Sequence, residues 1–144
     1  MLRPDQFICI SYSNIDFLIP NDDIASAVGL SDFCTDMIDI NSGTYDFDEL
    51  AADFKQAKRD TTSYTMVILK NDGLNHLSFV TSQECKVCEI PLKNFSLFSS
   101  DYSESLKEHG ILACICKEDR LQYLLDVKKA LEYKYNMGEF LEEI

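Results

Sequence analysis

The side chains that could support catalysis or metal binding in this chain are its six cysteines and two histidines. Cys85 and Cys88 have the Cys-x-x-Cys spacing that is typical of zinc sites and of redox-active thiols. If this segment is extended, however, the two side chains point to opposite faces of a sheet and cannot share a metal ion. His76 and His109 have no ligand partner at metal-binding spacing. We therefore interpret the cysteines as structural, and keep as an alternative a small thiol- or metal-dependent enzyme that uses Cys85 and Cys88, with His76 as a further candidate.

Clusters of carboxylates are the other possible sites for chemistry. Acidic residues around Asp46 and around Glu139 could bind a hard cation in principle, but neither cluster has the EF-hand spacing. Helix starts and solvated chain ends account for them. The five glycines are scattered singly, whereas a phosphate-binding loop needs them clustered. The sequence therefore predicts no metal, no cofactor and no catalytic residue.

Charge and composition narrow the class of partner. The chain has 25 acidic and 13 basic residues, which gives a net charge of -12 at pH 7. This charge opposes a general attraction to nucleic acid or to anionic lipid. The first residues form no long apolar leader, and no apolar run approaches the ~18 residues of a membrane span. We expect a cytoplasmic protein with reduced cysteines that neither binds nucleic acid nor inserts into a membrane.

Most of the elements that would position a site are predicted to be strands. With 144 residues the chain predicts one domain, taken here as residues 1–144. An Asp-Gly pair at Asp72 predicts a hairpin between the strands on either side of it. Apolar runs rich in strand formers predict strands over residues 7–12, 15–19, 33–40, 64–69, 74–80, 85–90, 111–116 and 121–125.

Two short helical segments are predicted between these strands. Apolar residues at helical spacing favour a helical turn that begins at Ile24 and is closed by Gly29. Asp46 and Glu49 have capping-box spacing ahead of an apolar stripe, which predicts a short helix that ends before Thr61. Asn41, Ser42 and Gly43 are typical of a turn between the two segments.

The stretch from Gly110 to Leu131 is the most informative in the chain. It predicts a strand buried on both faces at Ile111–Cys116, a polar turn and a second strand. Asp126 then has the character of an N-cap for a final helix. Gly110 itself is predicted to end a helical turn over residues 101–109.

The residues after Leu131 form a helical pattern of their own. The pattern predicts a C-terminal helical extension over residues 132–144, with glutamates on the face opposite the apolar stripe. This stripe either packs on the chain's own strands or docks into a groove of a partner or of a second copy. The stripe consists of Tyr133, Met137, Phe140, Leu141 and Ile144.

Five segments, in this order, match the pattern of a known family. The family's Val-x-Glu-Ile segment corresponds to Ile24–Ala27, and its Asn-Leu-Arg-Gly turn corresponds to Asp39–Ser42. Its helix after Val-Asp-Leu corresponds to Asp48–Leu50, and its central hairpin ending in Ile-Pro corresponds to Ile68–Pro91. Its Leu-Leu-Asp-Leu corresponds to Leu124–Val127. The order and spacing resemble the CheW-like domain of bacterial chemotaxis, over about residues 6–132.

The resemblance implies a mainly β fold of two small intertwined five-stranded β-barrels, with short helices and a C-terminal helix. Members of the family are adaptors without catalysis, which couple methyl-accepting chemoreceptors to a CheA-type histidine kinase whose regulatory domain has the same fold. The chain is then expected to be a non-enzymatic adaptor for these partners or divergent equivalents, with self-association as a further possibility. The expected contact residues are Ile24, Asn41, Ser42, Gly43, Phe140, Leu141 and Ile144.

Several positions depart from the family pattern. The family's receptor-contact arginine is Asn41 here, the following glycine is Ser42 and an earlier glycine is Asp36. The acidic residue that often follows the central hairpin strand is also missing, since Val80 is followed by Thr81. Arginine offers a permanent charge and five donors, whereas asparagine is neutral and shorter. We therefore expect weakened binding to a standard chemoreceptor, with the kinase or divergent partners preferred.

Overall fold

The structure, a computed structural model, describes residues 5–31, 43–70, 77–96, 106–117 and 119–135. Strands dominate these ranges, with a short helix in the middle of the chain and a longer one near its end. The elements are β1 (Gln6–Ser11), β2 (Ile15–Pro20), β3 (Ile24–Leu30), β4 (Thr44–Asp46), α1 (Phe47–Ala52), β5 (Tyr64–Leu69), β6 (Ser78–Thr81), β7 (Cys85–Glu89), β8 (Ile111–Lys117), β9 (Arg120–Leu125) and α2 (Val127–Tyr135).

The first sheet has five strands in the order β7-β1-β2-β9-β8. The predicted strands at the start of the chain, β1 and β2, form an antiparallel pair, and so do the predicted strands β8 and β9. They join through a parallel contact between β2 and β9, in which Ile15 pairs with Leu121. The opposite edge is β7, which comes from the middle of the chain and pairs with β1. This sheet therefore unites segments that are far apart in sequence.

The second sheet has the order β3-β5-β6-β4 over the described residues. β5 and β6 are antiparallel, as the Asp-Gly hairpin predicts, although the turn at residues 71–76 lies outside the described residues. The predicted strand at residues 33–40 also lies outside them. Strand β7 follows β6 in the sequence but pairs with β1 in the first sheet. The strands of the two sheets are therefore interleaved along the chain. The predicted fold class, mainly β with two sets of strands and few short helices, is confirmed.

The predicted helical turn at Ile24–Gly29 is wrong, because this segment is strand β3. A short 3₁₀ turn at Asn21–Asp23 precedes it, and β3 then pairs with β5 along its whole length. The register shifts between Ile24 and Ser26, which indicates a β-bulge. A bulge interrupts the alternation of side chains between the two faces of a strand. The helical spacing of the apolar residues in this segment is therefore a coincidence.

One core connects both sheets with the two helices. Its largest buried side chains include Phe17 from β2, Phe47 from α1 and Phe79 from β6, none of them solvent-exposed. The rings of Phe17 and Phe47 are 5.4 Å apart at 82°, and those of Phe47 and Phe79 are 4.8 Å apart. Burying one such side chain contributes about 1.5–3 kcal/mol, so this cluster fixes the packing of the sheets.

A smaller core lies on the other face of the first sheet. Phe7, Leu18, Ile90 and Ile115 form it. The first sheet therefore buries side chains on both of its faces. The prediction that residues 111–116 are buried on both faces holds for Ile111 and Ile115, which belong to the two different cores, but is wrong for Cys116, which is exposed near the end of β8.

Both helix starts follow the predicted capping. The Asp46 carboxylate accepts from the backbone N–H of Asp48 at 3.0 Å, and the Asp126 carboxylate accepts from that of Lys129 at 3.3 Å. Gly110 has φ +82° and lies so close to α2 that a Cβ would be 2.5 Å from the backbone nitrogen of Ala130. The described part of the predicted C-terminal extension ends at Tyr135, so Phe140, Leu141 and Ile144 lie outside the described residues.

Candidate partner-binding surface

A buried carboxylate on α1 joins the two sheets. The Tyr12 hydroxyl, just after β1, donates to Oδ1 of Asp48 at 2.6 Å, and the Thr81 hydroxyl, at the end of β6, donates to the same oxygen at 3.0 Å. The backbone N–H of Ser82 donates to both oxygens, at 3.2 and 3.0 Å. Burial, together with the neighbouring Asp48 charge, raises the pKa of Tyr12 far above its usual range. Asp48 therefore accepts hydrogen bonds from both sheets at once.

The turn between β1 and β2 is fixed by Arg120, the first residue of β9. Its guanidinium forms a bidentate pair with Asp16, with Nε to Oδ2 at 2.9 Å and Nη2 to Oδ1 at 2.5 Å. It also donates to the carbonyl oxygens of Tyr12 and Ser13 at 2.8 and 3.0 Å. Burial alone raises the pKa of Asp16, but the hydrogen bonds from Arg120 and Gln122 outweigh it and the pKa lies below its usual range.

The same turn is bound from the other side by Gln56, which follows α1 and is buried. The Ser13 hydroxyl donates to Oε1 of Gln56 at 3.0 Å, and the Gln56 amide donates to Oδ1 of Asn14 at 2.7 Å. Side chains from the segment after α1 and from β9 therefore meet at one turn. This network fixes the relative positions of the sheets, and with them any surface that both sheets form.

Two of the predicted contact residues fall within the described residues. Ile24 begins β3, packs against the main core and pairs with Leu69 of β5. Gly43 has φ +86°, and its carbonyl oxygen accepts from the backbone N–H of Ser78 at 2.8 Å, at the start of β4. Asn41, Ser42, Phe140, Leu141 and Ile144 lie outside the described residues.

Strand β3 presents a surface that the sequence analysis did not predict. Residues 25–29 are all exposed, and Val28 is 46% exposed. Val28 and Leu30 lie on one face of the sheet, because they are two positions apart, and they pair directly with Met66 and Tyr64 of β5. We call these four residues the β3 surface. Their partly exposed apolar side chains form the kind of patch that marks protein contacts.

A shallow pocket of about 410 Å³ adjoins the β3 surface. Its lining includes the backbone at Gly29, the hydroxyl residues Ser31 and Ser63, and the charged residues Arg59 and Glu84. A Cβ placed on Gly29 would meet no atom within 4 Å, so the space above this backbone is open. The pocket therefore offers hydrogen-bonding groups beside an apolar patch, as the polar rim of a protein interface does.

The Cys85/Cys88 pair does not converge. Cys85 packs against the main core, whereas Cys88 packs against the smaller core on the opposite face of the first sheet. The prediction that the two side chains point apart is therefore confirmed. Burial raises the pKa of the Cys85 thiol to about 11, which favours the unreactive thiol over the thiolate. The alternative of a thiol- or metal-dependent enzyme therefore finds no shared site at Cys85 and Cys88.

Metal-ligating side chains are dispersed in the part of the chain that the structure describes. No group of three or more His, Cys, Asp or Glu side chains there could hold a metal ion. The ring of His109 contacts that of Tyr133, with centroids 3.8 Å apart. His76 lies outside the described residues. The helices of the described ranges include none with the length and apolar character needed to span a membrane.

The arrangement of the strands, with an exposed surface on β3, defines a two-sheet protein with the CheW-like fold. The crystal structure of the scaffolding protein CheW from Thermoanaerobacter tengcongensis is similar to this chain, with a TM-score of 0.58 over 88% of this chain and 87% of that chain. The two sequences are 9% identical, so the similarity concerns the fold. No family model matches the sequence, and no curated protein matches it.

Proposed function

We propose that this chain is a non-enzymatic adaptor in bacterial chemotaxis signalling, coupling chemoreceptors to a CheA-type histidine kinase or to divergent equivalents. The observation that carries the proposal is the CheW-like arrangement of the two sheets over most of the chain. The similar solved structure is described as a scaffolding protein, and a scaffold needs surfaces that bind other proteins.

The β3 surface is the contact that the described residues support best. Val28 and Leu30 belong to an edge of the second sheet as it is described, and their apolar side chains are only partly covered. Hydrogen bonds from Tyr12 and Thr81 to Asp48 link the second sheet, to which this surface belongs, to the first sheet. Partly exposed apolar residues on a sheet are typical of a docking site for a folded domain or a helix.

The regulatory domain of a CheA-type kinase is the preferred partner in this proposal. The resemblance implies that this domain shares the fold, and the receptor-contact arginine of the family is replaced by Asn41 here. A net charge of -12 adds repulsion toward any acidic receptor helix. The kinase contact is therefore expected to be stronger than the receptor contact.

The test is a titration of the full chain with the regulatory domain of the CheA-type kinase from the same cells. Val28→Asp should weaken binding by roughly tenfold or more, because it places a charge in the apolar contact. Val87→Asp is the matched control: Val87 is 60% exposed but lies on β7, at the far edge of the first sheet. The control should bind like the wild type.

Two results would contradict this assignment. Wild-type protein that shows no binding would remove the kinase from the proposal. Equal losses for Val28→Asp and Val87→Asp would show that the β3 surface is not the contact.

A further inference from the structure

A groove separate from the β3 surface lies between the two helices and the segment that leads into β8. Its volume is about 920 Å³, within the range of sites that bury a ligand or a short peptide. Apolar side chains from all three elements line it, among them Leu50 and Phe54 near α1, Leu106 and Ile111 before and in β8, and Ala130 in α2. Tyr133, which is 49% exposed, also lines it. We call this the α1–α2 groove.

We propose that the α1–α2 groove binds the segment 137–144 of the same chain. This inference does not rest on the adaptor function. The segment lies outside the described residues, and its sequence carries Phe140, Leu141 and Ile144 on one stripe of a helical pattern. These side chains match the apolar lining of the groove.

The distances along the chain allow this contact. The hydroxyl of Tyr135, the last residue of α2, donates to Oε2 of Glu49 at 3.0 Å, so the chain leaves α2 beside α1, which is itself a wall of the groove. From Lys129 to Tyr135 the helix rises by only about 9 Å, at about 1.5 Å per residue. Eight extended residues span up to about 26–29 Å, which is enough to return along the groove. Gly138 supplies a position where the chain can reverse direction without a side-chain penalty.

The charges of the groove do not select its occupant. The lining carries three acidic residues, Asp53, Glu108 and Glu132, against Lys129 and Lys134. Lys134 is already paired with Asp53 at 2.9 Å. The segment 137–144 has three glutamates and no basic residue, so its apolar stripe, and not its charge, is what matches the groove.

The experiment compares the full chain with the double variant Phe140→Asp/Leu141→Asp by amide NMR and hydrogen exchange. We expect chemical-shift changes at residues 106–111 and 129–133, and exchange there that is faster by roughly tenfold or more, because two apolar contacts are lost. The amides of β1 and β2 should be unchanged, which shows that the variant is folded. Val87→Asp is the control and should leave the groove amides unchanged.

The oligomeric state completes the test. Sedimentation should give a monomer for both proteins, with groove shifts independent of concentration. If the double variant changes no groove amide, the proposal is overturned. If the wild type is a dimer that the double variant converts to a monomer, the occupant is the segment of a second copy, and the proposal of an intramolecular contact is likewise overturned.

Discussion

Gly110 shows how a single residue links the last hairpin to the final helix. Its φ of +82° is in the region that only glycine adopts freely, and its carbonyl accepts from the backbone N–H of Asp126 at 2.8 Å. Its position after residues 101–109 in the sequence predicts a helix stop. The close approach to Ala130 could not be predicted, because it depends on how α2 packs against the start of β8.

Replacing Gly110 by alanine should lower the free energy of unfolding by about 2–4 kcal/mol, since it adds backbone strain and a clash with α2. Chemical denaturation measures this. Gly29→Ala is the control, because a Cβ there meets no atom within 4 Å and φ is not positive, and it should change stability by less than about 0.5 kcal/mol. Similar losses for the two variants would show that the packing of Gly110 against α2 is not as described.

The Asp16–Arg120 pair makes a prediction about pH. The pKa of Asp16 is lowered in the folded protein, so the charged carboxylate stabilises the fold above its unfolded pKa of about 3.9. This contribution is lost as the pH falls below about 4 and through the folded pKa. Asp16→Asn should therefore cost about 1–3 kcal/mol at pH 7 and less than that at pH 3.

Urea unfolding at the two pH values tests this expectation. Asp53→Asn is the control, because its pair with Lys134 is solvent-exposed and should contribute less than about 1 kcal/mol at either pH. A cost for Asp16→Asn that stays constant between pH 7 and pH 3 would contradict the assignment.

Among the strands and helices, those that could be predicted are the ones whose sequence signals come from neighbouring residues. The elements from Gly110 to Leu131 form in the predicted order because a strand, a polar turn and an N-cap each depend on neighbouring residues. β3 was missed because its pairing with β5 and its bulge are not visible in its own sequence. In the sequence, Thr81 stands out only as a departure from the family pattern. In the structure its hydroxyl donates to Asp48, which is 33 positions away in the chain.

Asn41, two residues before Gly43 in the sequence, carries the prediction about receptor specificity. The resemblance to the CheW-like family aligns this residue with the family's receptor-contact arginine. Asn41→Arg should restore a charge-assisted hydrogen bond worth about 1.5–3 kcal/mol and raise affinity for a chemoreceptor signalling fragment roughly ten- to a hundredfold. Titration of both proteins with the fragment measures this.

The matched control is Asn41→Gln, which lengthens the side chain without adding a charge and should leave the weak binding unchanged. Tight wild-type binding that Asn41→Arg does not alter would show that this position does not determine receptor coupling.

At the scale of the whole molecule, the class of fold could be predicted but its assembly could not. Strand content and the order of segments indicated a mainly β, CheW-like protein, and the solved scaffold structure has the same fold. The transfer of β7 to the first sheet, the network around Asp48 and the β3 surface all depend on contacts between distant segments. No local pattern encodes such contacts, so the candidate surface emerged only from the structure.

The central claim is that this chain physically couples two signalling proteins. The most direct measurement is sedimentation of the full chain mixed with the CheA-type kinase regulatory domain and the receptor signalling fragment from the same cells. We predict a complex of the chain with the kinase domain, joined by the receptor fragment only at higher concentration and more readily with Asn41→Arg. Sedimentation of all three as separate species, for the wild type and for the variant alike, would contradict the adaptor function.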